Sequence, residues 1–169
     1  AQYTLGLCYY FGEGVKEDKE RAVEWFSKAA EKGDAQAQYT LGLCYYFGEG
    51  VKEDKERAVE WFSKAAEKGD AQAQYTLGLC YYFGEGVKED KERAAEWFSK
   101  AAKQGHAEAQ FNLGLHYALG DGVREDKERA AEWYSKAAKQ GHAHAQYTLG
   151  LCYDLGKGVK EDKERAAEW

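Results

Sequence analysis

The amino-acid sequence predicts an all-α chain, an α-solenoid of antiparallel helix pairs with a 36-residue period. Three observations lead there. Residues 1–36 recur without a change as residues 37–72, and such self-similarity at a period of 20 to 50 residues is the mark of a stacked repeat. Between the turn signals, apolar residues fall at helical spacing and do not alternate. Asp and Gly stand where helices of that length start and stop. There is no proline in the chain, so its turns rest on glycine.

The copies run 1–36, 37–72, 73–108, 109–144 and 145–169, and together make one array over residues 1–169. The third differs from the first two at a few places, the fourth at more, and the fifth is cut off at Trp169. A chain that starts without Met and with no leader-like segment is expected to be an excerpt of a longer one.

Copy two shows how each unit is written. Asp34 and Asp70 are good N-caps for the first helix of a copy, with His106 and His142 as poorer occupants of that place. The helix runs through Ala37, Leu41 and Tyr45 to Phe47 and stops at Gly48. Gly48-Glu49-Gly50 is a turn whose glycines take positive φ at little cost. Asp54 caps the second helix, and Glu53 with Arg57 and Glu60 with Lys64 are expected to pair along its wet side. Gly69 ends it as a C′ residue. Connections this short make neighbours antiparallel. A single pair cannot bury its apolar faces, so copies must stack.

At 100° per residue the first helix has two apolar arcs. Leu41, Cys44, Tyr45 and Ala37 face the inward stripe of helix two, namely Ala58, Trp61, Phe62, Ala65 and Ala66. Gly42 sits beside them, where the missing side chain lets the helices approach. The opposite arc carries Tyr39, Leu43, Tyr46 and Phe47. Either it presents something, or curvature packs it against the next copy; burial is more expected for Leu and Phe, and less for the Tyr at the fourth position.

The pattern resembles the Sel-1-like repeat family, relatives of the tetratricopeptide repeats. In copy two the signature rests on Ala37, Leu41, Gly42, Tyr45, Gly48, Gly50, Val51, Asp54, Ala58, Trp61, Ala65, Ala66 and Gly69, with Lys52 where family members often have proline. The resemblance spans the chain and implies a right-handed α-solenoid, a superhelix whose first helices line a concave face, acting as an adaptor in larger assemblies. In tetratricopeptide relatives ligand contacts cluster at positions matching the second arc. The candidate partner-binding face is therefore Tyr3, Leu7, Tyr10 and Phe11; Tyr39, Leu43, Tyr46 and Phe47; Tyr75, Leu79, Tyr82 and Phe83; then Phe111 and Leu115. Beyond these the positions turn smaller and more acidic, with Ala118, Leu119, Tyr147, Leu151, Asp154 and Leu155. The Lys and Asn pattern that clamps a peptide's terminal carboxylate in some of those relatives is absent.

Other function classes find little support. Net charge is −6 with interspersed signs and no basic cluster, the wrong balance for nucleic acid. No apolar run approaches the roughly 18 residues of a membrane span. Cys8, Cys44, Cys80 and Cys152 share one repeat position, with His116 taking it in copy four. Stacked equivalents about 8–10 Å apart are too distant for a disulfide, which needs Cα atoms within about 7 Å, so buried free thiols are expected. They lean towards a reducing compartment. Secreted members of the resembled family close a bond between two cysteines of one repeat, which one per repeat cannot do. His142 and His144 lack a third ligand, Ser63, Ser99 and Ser135 read as exposed, and repeated carboxylates supply no singular constellation. No catalytic residue, cofactor or metal is assigned. The expected partner is a protein or peptide. The alternative is a structural spacer or rod that self-associates end to end through its uncapped terminal copies.

Overall fold

The computed structural model describes residues 1–169 as ten helices without a strand. They divide into two compact units, Ala1–Glu89 and Asp90–Trp169. The first unit holds α1 (Gln2–Phe11), α2 (Lys19–Glu31), α3 (Ala35–Phe47), α4 (Lys55–Glu67) and α5 (Ala71–Phe83). The second holds α6 (Lys91–Lys103), α7 (Ala107–Leu119), α8 (Lys127–Lys139), α9 (Ala143–Leu155) and the single turn α10 (Lys163–Ala166).

Helix starts follow the expected chemistry. Asp34 and Asp54 adopt extended backbone and accept from the amides of Ala37 and Arg57, each at 3.0 Å. His106 and His142 serve as caps too, because an imidazole Nδ1 with its lone pair free accepts from Ala109 and Ala145 at 3.2 and 3.1 Å. The stop at Gly48 has φ +69°, a left-handed conformation that a side chain would strain. Gly50 has a second reason to lack a side chain: an added Cβ would collide with the Lys19 carbonyl of the preceding copy.

Within a pair the helices run antiparallel. Gly42 of α3 faces Ala58 of α4, and three residues later the Tyr45 carbonyl accepts from the Asp54 amide at 2.8 Å. The core of the first unit gathers Ala22, Phe26, Ala29, Ala30, Ala37, Leu41 and Cys44. In the second unit Ala130, Tyr134, Ala137, Ala138, Ala145 and Leu149 do the same. The next pair is tied on by a buried amide, since Gln38 donates to the Ala30 carbonyl at 3.1 Å and Gln74 repeats this on Ala66.

Two local expectations are corrected. Arg57 and Lys64 lie over the rings of Tyr45 and Trp61, at 4.7 and 4.3 Å from their centroids, and not beside Glu53 and Glu60. A cation on an aromatic face gains about 0.5–1 kcal/mol, against about 0.2–0.5 for a solvated i,i+4 pair, and it also covers the half-buried rings. Ser63 is not an open surface hydroxyl either. It is half-buried and bonds back to the Val59 carbonyl at 2.8 Å, as Ser27 does on Val23.

The tightest contact of the pair yields the first test. A Cβ added at Gly42 would stand 2.5 Å from Phe62 Cε1, inside a packed core that cannot give way on the backbone side. Gly42→Ala is expected to cost about 1–3 kcal/mol as overpacking despite its gain in helix propensity, read as a lowered urea midpoint at unchanged slope.

Candidate functional site

Each expected surface residue has a definite place. In the first unit, Tyr3, Leu7, Tyr10, Tyr39, Leu43, Tyr46, Tyr75, Leu79 and Tyr82 are half-buried, whereas Phe11, Phe47 and Phe83 are 62, 64 and 63% exposed. The leucines follow the expected ranking and the phenylalanines reverse it, because the tyrosines are the residues engaged by the next copy. The Tyr3 hydroxyl meets Thr40 at 3.2 Å and Tyr39 meets Thr76 at 3.3 Å. Tyr10 donates to Glu49 and Tyr46 to Glu85.

Those last two bonds belong to a three-residue clasp. Lys19 binds Glu49 at 3.4 Å and Lys55 binds Glu85 at 3.0 Å. The same ammonium groups lie over the Tyr10 and Tyr46 rings, 5.1 and 4.8 Å from the centroids. The tyrosine hydroxyls hold the carboxyl groups of Glu49 and Glu85 below the usual range, with the lysines adding to the effect. Conversely, the carboxylate and burial push Tyr10 and Tyr46 up to about 12. Sequence reading treated Glu49 only as part of a turn. Its place between two glycines, one copy after Tyr10 and Lys19, was the available signal.

On this base stand the phenylalanines. Each packs edge-on against its neighbouring tyrosine, with centroids 5.0, 4.9 and 4.9 Å apart for Phe11 on Tyr10, Phe47 on Tyr46 and Phe83 on Tyr82. The Tyr10 and Tyr46 rings in turn rest on core Phe26 and Phe62 at 6.2 and 6.4 Å. The result is an exposed apolar ring per copy on an immobilised support.

The second unit differs. Phe111 packs on Tyr134 at 5.6 Å and stacks on His142 at 4.9 Å, while Leu115 is half-buried. Leu119, Tyr147, Leu151 and Leu155 are exposed, as is Asp154.

The thiols are free, with Cys44 and Cys80 buried and Cys8 and Cys152 half-buried. Burial pushes Cys44 up to about 11 and Cys80 to about 12, so both stay protonated at neutral pH. His116, at the same repeat position, packs on Phe98 at 5.4 Å with Nδ1 against the Asp121 carbonyl, and burial lowers its pKa. His142 and His144 have ring centroids 6.0 Å apart. No group of three His, Cys, Asp or Glu is placed to hold a metal ion, and no helix is long and apolar enough to cross a membrane.

Comparison with known proteins gives a consistent result. The Sel1 repeat pattern matches residues 1–34, 35–70, 71–106, 107–142 and 143–169. The crystal structure of c5321, a protective antigen present in uropathogenic Escherichia coli strains and displaying an SLR fold, is 44% identical with a TM-score of 0.95, covering 98% of this chain and 35% of that one. A Sel1 repeat protein from Oxalobacter formigenes is 38% identical with a TM-score of 0.90, over 99% and 67%. Among curated proteins, the ERAD-associated E3 ubiquitin-protein ligase component HRD3A of Arabidopsis thaliana is 45% identical over 38 residues, which is 22% of this chain and 6% of that protein. The chain thus spans about a third of the c5321 chain and a small fraction of HRD3A.

The clasp sets a pH dependence. A carboxyl whose folded pKa lies below its unfolded value contributes stability that is full above the unfolded pKa, near 4.5, and is lost as pH falls through the lowered folded one. Glu85→Gln is therefore expected to lower stability at pH 7 by about 1 kcal/mol or less, since the pair is partly solvated. The gap from the parent should close below pH 4.5. Urea titrations at pH 7 and pH 3 read the difference, and a gap that persists in acid contradicts the clasp.

Proposed function

This chain belongs to the Sel1 repeat family, and we propose that it is a scaffold which grips a partner segment through Phe11, Phe47 and Phe83. Sel1 repeat proteins bind proteins and are generally non-enzymatic. HRD3A is, by its name, one component of a ubiquitin ligase, a setting that asks a repeat domain for contacts and not for chemistry.

One observation carries the finer reading. A phenyl ring more than 60% exposed recurs at the same place in three successive copies, each braced by a tyrosine. A solvated ring of that size is an apolar anchor waiting for a pocket or a side chain. Because Tyr10 and Tyr46 are already fastened by Glu49 and Glu85, binding has little side-chain freedom left to remove from the support. Leu43 and Leu79, half-buried between the rings, form the floor.

The row of rings suggests the occupant. First helices of adjacent copies meet tip to tip through the hydroxyls of Tyr39 and Thr76, and each copy presents one exposed ring on that side. An amphipathic helix, which carries its apolar residues in a row along one face, is a partner of matching chemistry.

A display selection of helical peptides on the full chain, repeated on Phe47→Ser and Phe83→Ser, tests the reading. Both rings are exposed, so melting temperature and helicity are expected to stay unchanged. Selected peptides are expected to lose about tenfold in affinity with each substitution. Peptides that bind the double variant as tightly as the parent overturn the proposal.

A further inference from the structure

The junction between copies four and five departs from the earlier ones at three positions that meet in space. In copies one and two the first helix ends on a tyrosine (Tyr10, Tyr46), the next copy supplies an acid (Glu49, Glu85), and the second helix opens on a lysine (Lys19, Lys55). Lys91 keeps such a partner in Asp121, at 3.0 Å. At the fourth copy the tyrosine position is Ala118, the acid position is Lys157, and the lysine remains as Lys127. The core ring, phenylalanine as Phe26, Phe62 and Phe98, is here Tyr134.

Together these exchanges open a cavity of about 300 Å³ lined by Ala118, Lys127, Tyr134, Leu151, Cys152 and Lys157. That volume lies at the lower end of small-molecule sites, which run about 300–1,000 Å³. Tyr134 is only 3% exposed, yet its side chain lines the cavity and its hydroxyl is not sealed from water. The fold has no need of that hydroxyl, because phenylalanine fills the same core position three times over. A hydroxyl that water reaches through the cavity is a donor that an entering acceptor can take over. Lys127 and Lys157 line the same cavity, where the other junctions hold a carboxylate.

We propose that this cavity binds a small apolar acid. Its carboxylate takes the place that Glu49 and Glu85 fill elsewhere, accepting from the Tyr134 hydroxyl and neutralising Lys127 and Lys157, while its hydrocarbon body occupies the volume vacated by the missing tyrosine ring, against Ala118, Leu151 and Cys152. Burial pushes Tyr134 up to about 12, so the phenol remains a donor through the neutral range. Lys127 is held meanwhile by Glu125 at 3.2 Å, with both side chains more than half exposed. Such a solvated pair is weak and yields to a less hydrated acid. The inference goes beyond the scaffold reading and does not depend on it, since none of Phe11, Phe47 or Phe83 lines this cavity.

Hexanoate is the probe, titrated into the full ¹⁵N-labelled chain, with hexanol as its neutral counterpart. Saturable one-to-one binding with a Kd on the order of millimolar is expected for so small a ligand, with shifts confined to residues around Ala118, Tyr134 and Lys157. Tyr134→Phe, the residue of the other copies, is expected to weaken it about tenfold. Ala118→Tyr with Lys157→Glu rebuilds the clasp of the other junctions and is expected to fold at least as well and to abolish binding. N-acetyl-Gly-Leu and its amide identify the source of the acid: tighter binding of the free peptide than of hexanoate, lost on amidation, assigns the site to a chain terminus, and the reverse assigns it to small acids. No saturation by 50-fold excess over about 1 mM protein, equal binding of hexanol, or undiminished binding by the rebuilt variant each overturns the proposal.

Discussion

The exposed rings of the first unit depend on the contact between a glycine backbone and a phenylalanine ring. At Gly42 the Phe62 ring lies where a Cβ would be, and Gly6 on Phe26 and Gly114 on Tyr134 repeat the arrangement. Removing one methyl group lets the second helix come close enough to bury the ring edge-on against the first helix's backbone. The ring's other contacts are Tyr39 and Tyr46, 5.6 and 6.4 Å away. Phe62 therefore sets both the spacing of the pair and the height of the two tyrosines above it. The tyrosine hydroxyls then reach the following copy, and the exposed phenylalanines rest on the tyrosines. The order of dependence runs from glycine to core ring to clasp to surface ring.

Much of this was legible in the sequence because it is written in local terms. Caps at Asp34 and Asp54, stops at Gly48 and Gly69, and the division of the first helix into two arcs depend on neighbours within a few residues. Gly42 could be assigned to a close approach for the same reason. The fates of Tyr46 and Phe47 were not legible. They are consecutive, both aromatic, and on one arc, yet one is tied down and the other is 64% exposed. What separates them is an acid 39 residues from the tyrosine, placed by stacking and not by helical phase. Periodicity tells which way a side chain leaves its helix and is silent on what its tip meets. Arg57 and Lys64 show the same blindness, since the i,i+4 rule names the acids within reach but ignores the ring of Tyr45 across the pair and that of Trp61 three residues back on the same helix.

Repeat architecture also explains why one junction can differ while the others stay alike. Stability in a stacked array is close to a sum of copy and nearest-neighbour terms, so losing a clasp at one interface leaves the rest intact. Ala118 and Lys157 remove the clasp between copies four and five, yet Ala130, Tyr134, Ala137 and Leu149 remain buried there. Such a change is easily passed over in the sequence, because it consists of one acid turned to lysine at one copy.

Charge makes the same case from the other direction. Along the first unit the acids Glu49 and Glu85 are each matched by a lysine and a phenol, so the surface around the exposed rings carries little unsatisfied charge. Burying a matched pair beneath a ligand costs less than burying a lone carboxylate, which favours an occupant that is apolar where it touches. At the fourth junction the match is undone: the acid position is Lys157, Lys127 turns to Glu125 of its own copy, and Tyr134 brings a donor into the core beside them. On the two proposals, a surface neutral in one stretch and short of one negative charge in another would take different ligands at different positions, without any change in the fold beneath.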